Sequence, residues 1–249
     1  YQYEVGIEPA DTSKPVLGLR NSFLGIEGKY GRLIGGNFDT PLKQIQGKVD
    51  VFNDTRLDMT TYLAGEVRHD QSVQYSSPTL PGGVTINVDW MPAKVVADDD
   101  GISASVALKQ GQFYGALAID EKVNGDGGVV TNKANPLSVI RAVAAFDITK
   151  NVKWGVLIQQ AEGVDADKSR EKGWLSSVSW KLDRLTVNAQ IGQGKASQLA
   201  SGATSSATME RLAVGMDYSL NKTVTAFSYL GTTKNKDGAG GTALGVSRN

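Results

Sequence analysis

The sequence predicts an all-β chain folded as one large antiparallel barrel. Three observations lead there. Polar and apolar residues alternate with period two in segments of about ten residues. Short turn-forming pairs and long polar stretches take turns in separating those segments. No segment carries the 3.6-residue period of a useful helix, and no linker divides residues 1–249 into smaller domains.

The alternation begins at once, with Tyr1, Tyr3, Val5 and Ile7 set against Gln2, Glu4 and Glu8. A chain that starts inside a strand is expected to have lost an upstream part. Residues 21–28 and 31–36 read as strands joined at the Lys29-Tyr30 turn. Residues 37–58 then form a long connection, and strand pattern returns only near Leu63. A structureless stretch of roughly 25 residues inside a compact domain is uncommon and usually functional. This one carries Asp50, Asp54 and Asp58, lies between Arg20 and Arg68, and has Val51 and Phe52 to pin it against a wall. Acids on a loop folded into a barrel, facing basic residues across a gap, would make a pore constriction.

Beyond the turn at 78–83 the pattern is regular. Val84, Ile86, Val88 and Trp90 oppose Thr85, Asn87, Asp89 and Met91. Residues 102–109 and 113–120 follow, joined at Gln110-Gly111, and then a Gly/Asn-rich loop at 123–136. Ile140 to Ile148 and Val152 to Gln159 flank a turn at 149–151. After an acidic loop at 162–171, residues 174–182 and 185–192 meet at Asp183-Arg184. A Ser/Ala loop at 196–208 leads to residues 211–218, the Asn221-Lys222 turn, residues 223–230, a Gly/Lys loop at 231–241 and a last strand. One end of such a structure is tight and the other elaborated. Trp90, Phe146, Trp154, Trp174, Trp180 and Tyr218 fall near strand ends on the apolar face, as interfacial girdles do.

Alternation does not say which face points inward. Strand number does: about fourteen strands closed into a barrel enclose more space than side chains fill. Water must occupy it, so the polar face turns in and the apolar face meets lipid. Arg141, Lys153, Lys181 and Arg211 then line the lumen, offset by Asp89, Asp120, Asp147 and Asp217. A soluble sandwich or lipocalin-like barrel would reverse the faces, and extraction into buffer without detergent would favour it.

Composition removes other classes. There is no cysteine, which excludes disulfide scaffolds, zinc-thiolate sites and thiol catalysis. The 26 basic and 26 acidic side chains balance, so no nucleic-acid partner is expected. His69 is the single histidine, too few for a histidine metal cluster or a triad. The acids of 97–100 read as a solvated loop rather than a calcium site. No enzyme, cofactor or metal is expected. No apolar run approaches the roughly 20 residues of a membrane helix, which leaves a transmembrane barrel open because its two faces alternate.

The run NSFLGIEGKYGRLIGGNFDTPLK, followed by QGKVDVFNDT, resembles the third-loop region of the general diffusion porins of the Gram-negative outer membrane. The segment ALGVSRN resembles their final strand. The resemblance implies an integral outer-membrane barrel of about sixteen strands, the first two absent from this sequence. It implies a homotrimer in contact with outer-membrane lipid and lipopolysaccharide. It implies a water-filled channel for passive diffusion of ions and small hydrophilic solutes; a substrate-specific channel with a solute site in the pore is the alternative. Residue by residue, it places Arg20 and Arg68 on a basic wall of the constriction, and Asp50 and Asp54 on the acidic loop. Weak alternation around 20–28 and 63–75 suits strands that face neighbouring subunits.

Overall fold

The structure, a computed structural model, describes residues 2–5, 17–93, 99–124, 128–129, 136–164, 169–200, 203–235 and 241–248. The side chains of 1–20, 198–205 and 241–249 lie outside that description. Fourteen strands form one sheet: β1 (Gln2–Val5), β2 (Leu17–Gly28), β3 (Gly31–Asp39), β4 (Arg68–Ser76), β5 (Val84–Met91), β6 (Gly101–Gln110) and β7 (Phe113–Asn124), then β8 (Pro136–Asp147), β9 (Val152–Gly163), β10 (Arg170–Leu182), β11 (Leu185–Ala200), β12 (Ala203–Ser219), β13 (Thr225–Asn235) and β14 (Gly241–Arg248). Each pairs antiparallel with its neighbours in sequence, so the order in the sheet is the order in the chain.

Two expected boundaries move. Residues 196–200 and 203–208 are strand rather than loop: β11 and β12 stay in register out to the Ala200–Ala203 pair. The one turn dipeptide of the run, Ser201-Gly202, falls between these segments, so the residues on either side of it stay in the ladder. The long connection begins and ends later than its polarity implied, spanning residues 40–67 between β3 and β4. It is not structureless. It contains a helical turn, α1 (Pro41–Gln44), and two 3₁₀ turns, Ile45–Lys48 and Met59–Thr61.

The faces are inside out relative to a water-soluble protein. Leu24, Ile86, Val106, Leu117, Ile140, Ile158, Ile191, Leu212 and Met216 are exposed, whereas Ser72, Gln74, Asp89, Ser103, Asp120, Arg141, Gln159, Asn188 and Gln190 are buried. The six aromatics expected in girdles all lie on the exposed face. Trp90 and Trp174 sit toward the long-connection end, and Phe146, Trp154, Trp180 and Tyr218 toward the short-turn end. The exposed face is therefore an apolar band edged by amphipathic rings, the form lipid requires.

That band makes a direct prediction. Leu117, exposed in the middle of β7, should resist charge: Leu117→Arg should lower folding stability in lipid vesicles by about 2–4 kcal/mol. Tyr30→Arg, in the exposed turn after β2, should cost at most about 1 kcal/mol. Denaturant titration of the bilayer-inserted protein gives both values.

Candidate pore constriction

The connection 40–67 is shaped by its own residues before it meets the wall. Thr40 caps α1, its hydroxyl accepting from the Lys43 amide at 3.3 Å, and Pro41 occupies the first helical position, where no N–H is needed. Asp50 staples the next turn by accepting from the amides of Phe52 (3.2 Å) and Met59 (3.4 Å). Asp58 caps the Met59–Thr61 turn through the Thr60 amide (2.8 Å) and also accepts from the Asp54 amide (2.9 Å). That last bond holds Asp54 at φ 63°, a left-handed conformation that Asp tolerates better than most residues.

The folded connection then lies against the buried face of eight consecutive strands. The Leu42 amide donates to Ser103 Oγ of β6 (3.2 Å), and the Tyr114 hydroxyl of β7 donates to the Ile45 carbonyl (3.5 Å). Gln159 Nε2 of β9 donates to the Ala64 carbonyl (3.0 Å), and the Ser177 hydroxyl of β10 donates to the Val49 carbonyl. The Val51 amide donates to Gln190 Oε1 of β11 (3.1 Å). Arg211 of β12 donates to the carbonyls of Arg56 and Asp58, both at 3.2 Å, and Phe52 packs edge-on against Tyr229 of β13. A single short segment reaches β6 through β13 only because the sheet curls round it.

Arg141 of β8 is the strongest attachment. Fully buried, its guanidinium donates to Glu66 Oε1 (2.9 Å), the Ala64 carbonyl (2.8 Å), the Leu42 carbonyl (3.2 Å), Gln46 Oε1 (3.4 Å) and Gln159 Oε1 (2.9 Å). Both ends of the connection are thus fixed to one side chain. Burial pushes the Glu66 carboxyl up, and the Arg141 charge beside it pulls the other way. Glu171 of β10 adds a second clasp, accepting from the Ala64 amide (2.8 Å) and the Val129 amide (2.7 Å).

Steric fit completes the seat. Gly155, Gly173, Gly192, Gly215 and Gly231, one on each strand from β9 to β13, face Val49, Leu63, Tyr62, Phe52 and Leu57 respectively. A methyl group at Gly215 would come within 2.7 Å of the Phe52 ring. Between them, Leu42, Ile45, Met59, Tyr62 and Leu63 pack on Ala116, Ala118, Val143, Leu157 and Leu175 to make the main apolar core.

The residues expected at the constriction separate. Asp50 is buried and turned into the loop, whereas Asp54 is exposed on it. Arg68 opens β4 opposite Asp39 at the end of β3, and the two form an ion pair at 3.0 Å that closes the neck of the connection. The backbone of Arg20 is in β2, and its side chain lies outside the described residues. Among the expected lumen residues, Arg141 and Arg211 are attachments of the loop. Lys153 and Lys181 lie at the short-turn end, where Lys153 is paired at 3.7 Å with Asp147. Asp89 and Asp120 face inward on either side of Ser103 and are buried. Asp99 pairs with Lys122, and Asp100 accepts from the Ala93 amide and Trp90 Nε1, while Asp98 lies outside the described residues.

The sequence held a signal for this seat that polarity alone hides. Ala116, Val143, Leu157 and Leu175 are apolar residues on the face assigned to water. Together with the inward glycines, they mark where something other than water is packed.

Two outcomes follow. Arg141→Ala leaves the buried Glu66 without its opposite charge and takes a donor from the Leu42 and Ala64 carbonyls, a loss of about 3–5 kcal/mol. It should lower the unfolding temperature and expose residues 50–58 to limited proteolysis, with Arg141→Lys falling between. The second concerns Asp50, whose carboxyl is pushed up to about 7 by burial and by the nearby Asp58. A folded value above the unfolded one favours the loop in place at low pH, and that contribution is lost as pH rises from about 4 through about 7. Cleavage within 50–58 should therefore increase over this window, and Asp50→Asn should flatten the increase.

The profile of the Gram-negative porin family matches residues 1–238. No curated protein matches by sequence. Solved structures do resemble the chain at low identity. A loop-deletion mutant of OmpT, an outer membrane protein of Vibrio cholerae, superposes with a TM-score of 0.70 at 13% identity, covering 88% of this chain and 76% of that one. An anion-selective porin from Comamonas acidovorans gives 0.68 at 16%, covering 92% and 73%. OmpF of Salmonella typhi, in complex with daunomycin, gives 0.67 at 11%, covering 87% and 71%. With an apolar outer face, a polar inner face and a family profile across nearly its whole length, the chain belongs to the Gram-negative porins, channel proteins of the outer membrane.

Proposed function

We propose that the chain forms a water-filled channel for passive diffusion of ions and small hydrophilic solutes, with residues 40–67 as its constriction. The observation that carries this is the loop itself, held by side chains of eight strands on the polar face of a sheet whose other face suits lipid. The strands close into a single barrel domain, sixteen-stranded as the family resemblance implies, and three copies assemble as a homotrimer with lipid and lipopolysaccharide around them. The inward curl of β6–β13 about the loop, and the porin fold of the structural neighbours, support closure.

In this reading selection arises where charges border water in a narrow, low-dielectric passage. Asp54 supplies the acidic edge of the loop, and Arg20 with Arg68, the latter half-buried and paired with Asp39, the basic wall. Asp50 acts on the loop's shape rather than directly on ions.

The test is single-channel conductance and reversal potential of detergent-purified protein in a planar bilayer under a salt gradient. Openings that close in three equal steps are expected. Asp54→Asn should move the reversal potential toward anions and Arg68→Gln toward cations. Folded, inserted protein that passes no current would remove the channel reading, and saturable block by one solute class would replace general diffusion with a substrate-specific pore.

A further inference from the structure

The charges nearest the short-turn end are not balanced, although the chain as a whole is. Lys48 from the loop, Lys109 from the end of β6 and Lys153 from the start of β9 line one concave site together with Asp147. Lys181, at the end of β10, follows Lys153 round the wall, its amide donating to the Asn151 carbonyl at 2.8 Å. By strand alternation all three wall lysines share the inward face: Lys109 with Ala107, Lys153 with Leu157, and Lys181 with Ser177. Asp147 is the single acid on that face at this end of β6–β10, and it pairs only with Lys153. Lys48 and Lys109 are exposed and make no ion pair among the described residues. None of the loop's acids lines this site: Asp50 and Glu66 are buried in the attachment, Asp58 caps a turn, and Asp54 is exposed elsewhere on the loop.

We propose that this mouth is an anion-binding station, at which Lys48, Lys109 and Lys153, with Lys181 next to them on the wall, hold phosphate-bearing solutes on the short-turn side of the constriction. The inference rests on the channel reading and names the solute class that its short-turn side takes. Three features make the site more than a solvated face. Lysine ammonium groups from the loop and from non-adjacent strands converge on one concavity, so a multiply charged anion meets several at once. The wall behind them is low in dielectric, which raises the potential above that of lysines on an open surface. Lys48 is carried by the rigidly attached loop, so the station is continuous with the constriction and fixed relative to it.

The experiment uses the full chain in planar bilayers at low potassium chloride, where screening is least. Sodium phosphate is added to one side and then to the other. The wild-type current should show saturable, side-dependent reduction by phosphate. The Lys48→Gln/Lys109→Gln double variant replaces two exposed side chains that hold nothing in place. It should bind phosphate about tenfold more weakly and lose anion preference by about twofold. Lys150→Gln, in the turn after β8, should behave as wild type. A wild-type channel that conducts but shows no phosphate effect, or a double variant with an unchanged one, overturns the station and leaves the channel standing. Absence of current from folded wild-type protein overturns the channel reading first, by a separate readout.

Discussion

One guanidinium, closed off from water, fixes the relation between the loop and the sheet. Arg141 reaches carbonyls at Leu42 and Ala64 and side chains at Gln46 and Glu66. It therefore ties the outgoing and returning limbs of the connection to a single point on β8. A planar, five-donor group is what such a point requires, because four differently placed acceptors must be met at once and none can be left dry and unpaired. The Glu66 charge makes the burial tolerable. With the two limbs held together, the middle of the connection has one direction to go, across β9 to β13.

What it crosses is cut to its shape. A wall built only to face water would carry small polar side chains on every inward position. Here the inward positions from β7 to β10 include alanine, valine and leucine, and those from β9 to β13 include a glycine beneath each large loop side chain. Each glycine weakens its strand slightly, and the lost side chain is replaced by contact from the loop. Phe52 over Gly215 and Tyr62 over Gly192 are packing contacts of an ordinary protein interior. The protein thus has two apolar regions with different partners. One meets lipid outside, and the other, inside, meets its own loop.

The sequence made the first region legible and largely concealed the second. Period-two alternation placed Ile86, Val106, Leu117 and Trp154 on one face, and strand number turned that face outward; the structure has them exposed. The position of the long connection was also readable, because polarity and the Lys29-Tyr30 turn isolate it. Its internal order was not. Asp50 and Asp54 look equivalent as letters in an acidic loop, and only the folded backbone puts Asp50 on the amides of Phe52 and Met59 and leaves Asp54 outside. Arg141 and Arg211 looked like charges for a wet lumen. Their acceptors are loop carbonyls distant in sequence, Leu42 and Asp58 among them, and a pattern read along one strand carries no trace of such pairings. Residues 196–200 and 203–208 differ from their expectation for a simpler reason: small polar residues are as compatible with a strand ladder as with a loop, and the pairing of β11 with β12 decides.

This division of labour bears on how such a channel chooses ions. A net charge of zero over the chain says little about the field a solute meets, because charge used to hold the loop is withdrawn from the passage. Glu66 and Arg141 cancel one another inside the attachment. Asp147 answers only one of the lysines at the short-turn mouth. Lys48 and Lys109 are left exposed and make no ion pair among the described residues. The same interactions that hold the loop therefore leave its surroundings unequal in charge, compensated where the loop is anchored and basic where the strands end.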